Sequence, residues 1–499
     1  MPAQVTTRAQ VNGYRFLLRR LEHALIRADS RMIHDPMRGQ IRSLMVGLVM
    51  AVLITGAAGV LAFFKPAPNI GNAQILISKS SGALFVRIGD RVHPVLNIAS
   101  ARLIVGKPEE PKQVDDKWLN QSPRGPMVGI IGAPASIRAA DNAQMSSWTV
   151  CDTATLPNLQ RGTGVASLDT AVLANDPVLS DDIRVASPAQ MILAEAGGAT
   201  YLIYGGVRAP IDPHDSVVSS ALHLQGVRAR PISPGLLNSF ALVPPIAALA
   251  IEGVGDSNPA LGPTYRVGSI VKTVDSRGEQ LYVVLRQGLQ PISAGTADII
   301  RYGNPADTTT REISPALLSK VAVVHILPID HYPAMPPQIV TPEPDRVVCM
   351  SWQRSNTAAQ ATVRLLVGYR LPLPAGAEPV RLAGADGNGP GLDAVYLKPG
   401  TGEYVQATGG GADSRAMGQV FYVADTGLRY HIKDLPTATA LGVTGIKDPD
   451  SDAELPQLAP WPALSLLPPG PELSQEAALV AHDGIAADPH GTKVEPPQQ

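Results

Sequence analysis

The chain has 499 residues, with 41 Lys and Arg against 43 Asp and Glu, which gives a formal net charge of -2 at pH 7. A dedicated nucleic-acid binder needs a basic surface to meet the phosphates, so this balance argues against a nucleic-acid partner. The length exceeds what one hydrophobic core usually holds, and several domains are expected.

The first 42 residues predict a basic amphipathic helix. Its apolar residues recur at helical spacing: Tyr14, Leu17, Leu18, Leu21, Leu25 and Met32. Arginines surround them: Arg15, Arg19, Arg20, Arg27 and Arg31. Such a helix either rests on anionic lipid headgroups or docks on a cytosolic partner, and the sequence leaves both readings open.

Residues 43–64 predict a transmembrane helix. From Ser43 to Phe64 the chain has no charged residue, and this length crosses a hydrocarbon core of about 30 Å. Soluble helices are rarely apolar all round over such a length, and a cleaved signal peptide does not start this late. Residues 1–42 hold eight Arg against three acids. The positive-inside rule therefore puts the N-terminus in the cytoplasm and residues 65–499 outside.

The chain has two cysteines, Cys151 and Cys349, both in the predicted exterior region, where disulfides persist. Trp148 and Trp352 each lie three residues from a cysteine. We favour one disulfide, which would close a loop of about 200 residues and contribute up to about 5 kcal/mol in the chain-entropy model. Two unpaired buried thiols are the alternative.

Four stretches share a pattern of strand, Gly turn, strand, Pro and a segment that can begin a helix. In "SGALFVRIGDRVHPVLNIASARLI", Gly82 and Pro94 are twelve residues apart, and Gly198 and Pro210 keep this separation. A third copy starts at Gly278, and a more degenerate fourth follows Asp425. Their irregular spacing predicts small modules threaded through a longer chain rather than a solenoid.

The predicted fold class is a membrane-anchored α+β protein. Its exterior region is mainly β, with a discontinuous core domain and four small repeat domains. The predicted organisation is a cytosolic helix (1–42), a transmembrane helix (43–64), a linker with repeat 1 (65–120), a core segment with Cys151 (121–190), repeat 2 (191–250), repeat 3 (260–325), a core segment with Cys349 (328–385), repeat 4 (386–444), a C-terminal core segment (445–485) and a flexible tail (486–499).

No motif in the sequence predicts a catalytic, cofactor or metal site. The sequence has no G-x-x-x-x-G-K-[ST] loop, and "TGGGAD" at 408–413 is interpreted as a flexible loop rather than a phosphate cradle. Ser269 and Lys272 form an S-x-x-K, but they lie in a predicted strand that would put them on opposite faces.

Several stretches together resemble the EccB family, the B component of the type VII (ESX) secretion machinery of mycobacteria and related actinobacteria. They are "TTRAQVNGYRFLLRRLEHALIRAD", "SGALFVRIGDRVHPVLNIASARLIVG", "RGPMVGIIGAP", "SWTVCD", "SWQR" and "LLPPGPELSQEAALV". The resemblance covers essentially the whole chain in the same order. It implies a cytosolic helix, one span, and a periplasmic region with four repeats similar to a phage-lysin cell-wall-binding subunit. It also implies that Cys151 and Cys349 are the family's disulfide pair.

The resemblance further implies a place in the inner-membrane core complex, beside the EccC motor ATPase, EccD, EccE and other EccB copies in a hexameric assembly. The predicted function is a structural component of that complex, in contact with the lipid bilayer. A peptidoglycan-binding anchor and an ATPase subunit are the alternatives. ATPase activity is attributed to the family, but no nucleotide motif supports it here, and no cofactor is predicted.

Overall fold

The computed structural model describes residues 6–31, 36–63, 71–138, 144–155, 167–276, 278–304, 309–387, 390–415, 417–443, 445–447 and 454–485. They fall into two compact units, residues 1–72 and 73–499. The helices are α1 Arg8–Arg27, α2 Pro36–Phe63, α3 Ile98–Val105, α4 Asp116–Gln121, α5 Ser216–Ala221, α6 Pro234–Ser239, α7 Ala294–Gly303, α8 Pro315–Leu318, α9 Leu435–Leu441, α10 Trp461–Leu464 and α11 Gln475–Ala478.

Strands dominate the second unit. Up to residue 242 they are β1 Ile75–Ser78, β2 Leu84–Ile88, β3 Arg91–Pro94, β4 Lys112–Val114, β5 Met127–Val128, β6 Met145–Thr155, β7 Ser167–Ala174, β8 Ile183–Val185, β9 Gln190–Ala196, β10 Ala199–Tyr204, β11 Val207–Pro210, β12 Arg230–Pro231 and β13 Ala241–Leu242. Beyond it they are β14 Ser257–Asn258, β15 Gly262–Arg266, β16 Ile270–Asp275, β17 Gly278–Leu285, β18 Gly288–Ile292, β19 Thr310–Glu312, β20 Gln338–Ile339, β21 Val347–Ser355, β22 Thr362–Gly368, β23 Val380–Arg381, β24 Ala394–Leu397, β25 Gly402–Thr408, β26 Val420–Ala424, β27 Arg429–Ile432, β28 Ile446–Lys447, β29 Glu454–Leu455, β30 Gln457–Pro460 and β31 Ala481–His482.

Within its described residues, the first unit has two helices. Helix α2 contains a stretch, Gly39–Val60, with a mean hydropathy of 2.2 and none of it buried, which is long and apolar enough to cross a membrane. Ser43, the predicted start of the span, lies inside α2 rather than at its beginning. The predicted end, Phe64, lies outside the described residues.

Four sheets in the second unit have the same topology. Each is an antiparallel three-stranded meander followed by a helix and a fourth strand that lies parallel to the first, and their strand orders are β3-β2-β1-β4, β11-β10-β9-β12, β18-β17-β16-β19 and β27-β26-β25-β30. A short second helix and a segment parallel to the third strand complete each unit. We call these units module 1 (75–130), module 2 (190–246), module 3 (270–324) and module 4 (402–473).

A capped helix follows the third strand in every module. The N-cap side chains of α3, α5, α7 and α9 are Asn97, Asp215, Ser293 and Asp434, and each accepts a backbone N–H from the first turn. Such caps satisfy amide groups that a helix start leaves without partners. The polar residue after each hairpin therefore explains why the chain turns into a helix at that point.

A seven-stranded sheet, which we call the core sheet, has the order β23-β24-β7-β6-β21-β22-β8. Its long central strands β6 and β21 are antiparallel and buried along most of their length. Successive side chains of a strand point to opposite faces. One face carries Trp148 and Trp352, and the other carries Cys151 and Cys349.

The modules pack in an order that differs from their order in the chain. The tryptophan face of the core sheet shares a hydrophobic cluster with the sheets of modules 2 and 4, through residues such as Ile192 and Val405. The opposite face of module 2 packs on module 3, with α5 against α7. The opposite face of module 4 packs on module 1, with α9 against α3. Modules 2 and 4 therefore lie on the same face of the core sheet, where α6 also contacts α10, and modules 3 and 1 pack on their outer faces.

The C-terminal segment differs from its predicted place in the core. Strand β30 is the fourth strand of module 4, so that module extends well beyond residue 444. Strand β31 pairs with β5 at the end of module 1. Conversely, β24 lies within the region predicted as repeat 4 but pairs with β7 in the core sheet. The sequence pattern marked only the hairpins, because a single short parallel strand has no local signature.

Candidate functional site: the joints of the exterior scaffold

A disulfide joins the two central strands of the core sheet. Cys151 on β6 and Cys349 on β21 are directly opposite each other, fully buried, and 198 residues apart in sequence. Trp148 and Trp352 form another directly opposed pair three residues away, and both are buried. The pairing expected from the sequence is present, and it links two distant chain segments at the centre of the sheet.

A buried carboxylate ties module 2 to the core sheet. Asp152 on β6 is 1% exposed, and it accepts hydrogen bonds from the Ser233 N–H (2.6 Å), the Ser233 hydroxyl (2.7 Å) and the Thr170 hydroxyl (2.9 Å). Burial raises the pKa of Asp152 to about 6, while these hydrogen bonds and the positive charge of Arg230 act in the opposite direction. Since Ser233 is also the N-cap of α6, one carboxylate fixes both the helix start and the joint.

Arg230 makes the second contact at this joint. Its guanidinium donates to the backbone carbonyls of Asp345 (2.6 Å) and Arg346, just before β21. The Asp345 carboxylate in turn accepts two hydrogen bonds from Arg184 on β8, at 2.8 and 3.1 Å. Burial lowers the pKa of Arg230 to about 10, which leaves the side chain charged at neutral pH. This arrangement has no local sequence signature, because its residues are far apart in the chain.

The joint between modules 1 and 4 also uses a buried arginine. Arg102 on α3 donates to the Leu441 carbonyl at the end of α9 (2.9 Å) and pairs with Glu110 at 2.7 Å. The C-terminal segment adds a hydrogen bond from the Gly129 N–H to the Val480 carbonyl (3.2 Å). The joint therefore brings the segment around residues 102–129 together with two segments that lie more than 300 residues later in the chain.

Two carboxyl groups influence each other electrostatically where module 4 meets the core sheet. Glu403 lies two residues before Val405 on β25, so the two side chains point to the same face of the strand. Val405 packs against the core sheet, and Glu403 therefore points toward that sheet as well. Burial raises the pKa of Glu403 to about 8, and the negative charge of Asp176 adds to this effect. Asp176 follows β7 and accepts hydrogen bonds from the Ser147 hydroxyl and Gln353 Nε2 (3.4 Å). Glu403 thus holds its proton at neutral pH, which avoids two adjacent negative charges.

The predicted docking arginines lie on or just beyond α1. Arg15, Arg19, Arg20 and Arg27 are exposed along the helix, and Arg31 follows its end, with its N–H donating to Asp29 Oδ1 (2.9 Å). The helix starts with a capping box formed by Thr7 and Gln10. The predicted helix is thus shorter than 42 residues, and its last basic residue lies in a turn.

The glycine-rich loop does not fit a nucleotide phosphate. It connects β25 to β26, so no helix N-terminus follows it, and the Gly409 N–H donates to Ser414 Oγ (2.9 Å). Ser269 is buried before β16, and Lys272 on that strand pairs with Glu279 at 3.0 Å. Over the described ranges, groups of three or more His, Cys, Asp or Glu that could hold a metal ion are absent.

Comparisons with known proteins give one consistent family. The model of the type VII secretion system ESX-1 transport transmembrane domain B matches residues 3–487. The ESX-3 secretion system ATPase EccB3 of Mycobacterium tuberculosis is 37% identical over 504 residues, which cover 97% of this chain and 90% of that protein. The ESX-1 secretion system ATPase EccB1 of the same species is 33% identical over 508 residues, which cover 99% of this chain and 98% of that protein.

Solved structures agree with the sequence comparisons. A chain of an intact ESX-5 inner membrane complex matches with a TM-score of 0.70 and 31% identity, covering 99% of both chains. A chain of the EccB3 dimer from the ESX-3 core complex matches with a TM-score of 0.68 and 33% identity, covering 82% of this chain and all of that chain.

Proposed function

The chain belongs to the EccB family of type VII secretion systems, and on that premise we propose that residues 73–499 form a periplasmic scaffold for the ESX inner-membrane core complex. The chain is a structural component of that complex and associates with other copies of itself. In this proposal, the cross-linked core sheet and its four modules hold the pairing surfaces in fixed positions.

One observation carries this proposal. The whole chain, including its membrane helix, matches a chain of an intact ESX-5 inner membrane complex at 99% coverage of both. The joints described above support a scaffold role, because Asp152, Arg230 and Arg102 each form hydrogen bonds that connect one sheet or module to another. A body of several packed sheets suits a subunit that holds partners in position rather than performing chemistry.

The proposed orientation places the N-terminus in the cytoplasm and the second unit in the periplasm. Eight arginines precede the span, against three acids, and positive charge is retained on the cytoplasmic side. A buried disulfide also suits an oxidising compartment. The matching ESX-5 periplasmic assembly, which covers 85% of this chain, supports the same placement.

We further propose EccC, EccD and EccE as the partners of this chain in the membrane and cytoplasm. The names of the relatives contain the word ATPase, whereas the described glycine-rich loop does not fit a phosphate site and the sequence has no P-loop motif. We therefore propose that nucleotide hydrolysis belongs to a different subunit. ATP hydrolysis by purified residues 73–499 above background, lost on substitution of a nucleotide-contacting residue, would overturn this assignment.

The test of the proposed function is a gentle detergent extraction of the tagged chain from its native membrane, followed by sizing and mass spectrometry. We expect a very large assembly that contains several copies of this chain, an FtsK-like ATPase and a partner with many spans. Recovery as a lone monomer or dimer that co-sediments with peptidoglycan would contradict the scaffold role and favour a wall anchor. A tagged unrelated single-span protein from the same membrane serves as the control.

A further inference from the structure

Helix α1 carries an apolar stripe that the described chain leaves uncovered. Its members repeat at intervals of three and four residues, which places them on one face: Val11, Tyr14, Leu18, Leu21 and Leu25. All of them are exposed, from 40% for Val11 to 78% for Leu25. A helix face of this kind is unstable in water, so another surface has to cover it.

The chain covers the opposite face instead. After α1 it turns back through Ala28, which has a φ of 51°. Arg20 Nε then donates to the Ser30 carbonyl (3.0 Å), and His23 becomes buried against Asp29. Because positions 20 and 23 lie across the helix from the stripe, the turn buries His23 and leaves the stripe exposed.

The charge of α1 selects the kind of surface that can cover it. The helix has five arginines and one acidic residue, Glu22, so two copies side by side would repel each other. Arg15 and Arg19 lie on one flank of the stripe, and Arg20 and Arg27 lie toward the other. An apolar face with basic flanks fits a surface that is apolar inside and negatively charged at its rim.

We propose that α1 lies in the plane of the membrane, with its stripe in the acyl boundary and its arginines on anionic lipid headgroups. Eleven residues lie between Arg27 and Gly39, where the apolar span begins. They can reach at most about 40 Å, so the helix is held close to the bilayer. This tether raises the effective concentration of lipid around α1. Insertion of the stripe into the bilayer is therefore favourable even though its apolar area is modest. The inference goes beyond the scaffold role, which concerns the second unit.

The test places a fluorophore on each face of α1 in the full chain, reconstituted in nanodiscs. Both native cysteines are in the disulfide, so Leu21→Cys and Asn12→Cys each give one labelling site, the first on the stripe and the second on the opposite face. In discs that contain phosphatidylglycerol, nitroxide on the lipid acyl chains should quench the Leu21 label several-fold more than the Asn12 label. Arg15→Gln with Arg19→Gln should weaken the lipid-bound state about thirtyfold.

Three results would overturn the proposal. The first is equal quenching at both positions in anionic discs. The second is unchanged Leu21 quenching in purely zwitterionic discs, which would remove the anionic lipid from the assignment. The third comes from the same labels in the native complex: protection of Leu21 from aqueous iodide without quenching by lipid would show that a protein partner covers the stripe. Failure of these arms leaves the extraction test of the scaffold role unaffected.

Discussion

Replacing Glu403 by Gln should stabilise the contact between module 4 and the core sheet at alkaline pH. Burial raises the pKa of Glu403 from 4.5 to about 8, and the negative charge of Asp176 adds to this effect. The folded state therefore binds a proton that the unfolded chain has already lost at neutral pH. The contribution of Glu403 to the free energy of unfolding is therefore fully present below about pH 4.5 and is lost as the pH rises through 8.

The expected size follows from the two pKa values. Between the two pKa values, each pH unit lowers the free energy of unfolding by about 1.4 kcal/mol. A fully buried Glu403 would therefore lower it by roughly 3 to 4 kcal/mol between pH 5 and pH 8. Glu403 keeps part of its solvent exposure, and we therefore expect about 2 kcal/mol. The Gln variant has no proton to lose, so it should match the wild type within about 1 kcal/mol at pH 5 and exceed it at pH 8.

Amide hydrogen exchange in β25 and β26 measures this difference directly. Wild type and Glu403→Gln are compared at the same pH, so that the intrinsic exchange rate cancels, and the variant should be about thirtyfold more protected at pH 8. Glu279→Gln is the matched control, since Glu279 is an exposed surface residue paired with Lys272. Protection ratios that are the same at pH 5 and pH 8 would refute the reasoning.

Three further changes test the other joints. Cys151→Ser with Cys349→Ser should lower the urea midpoint of residues 73–499 under oxidising conditions, by up to about 5 kcal/mol in unfolding free energy, and midpoints equal to the oxidised wild type would contradict this. Asp152→Ala should cost about 3 kcal/mol, because two Ser233 donors and Thr170 lose their acceptor, whereas Asp152→Asn should cost less; equal melting temperatures for the two variants would count against the hydrogen-bond account. Arg102→Met should raise proteolysis of module 1 without affecting module 3, and protection identical to wild type would show that apolar packing alone holds that joint.

Local signals in the sequence were sufficient for α1, the membrane-span helix, the module hairpins with the helix that follows each, and the cysteine pair. The length of a charge-free run is enough to predict a membrane span. Each module hairpin combines alternating apolar residues with a Gly turn, which predicts two antiparallel strands. The N-cap residues Asn97 and Asp434 mark helix starts that could be read in the same way. These features depend on neighbouring residues, which is why they could be predicted.

The packing order could not be predicted, because it depends on contacts between distant segments. Strand β30 completes module 4 from beyond its predicted end, and its four residues carry no period that would identify a partner. Asp152 and Arg230 look like ordinary surface residues in the sequence, and only the fold buries them together. Glu403 is similar, since its raised pKa requires Asp176 from a different sheet.

Strands β30 and β31 have a consequence for how the protein is made. Module 4 lacks its fourth strand, β30, until residues 457–460 have been made. Strand β5 of module 1 lacks its partner, β31, until residues 481–482 have been made. If the region after the span is translocated from the span toward the C-terminus, these strands arrive last. Module 1 and module 4 are then incomplete until the last part of the chain has crossed, and a prematurely terminated chain would expose open sheet edges that favour aggregation.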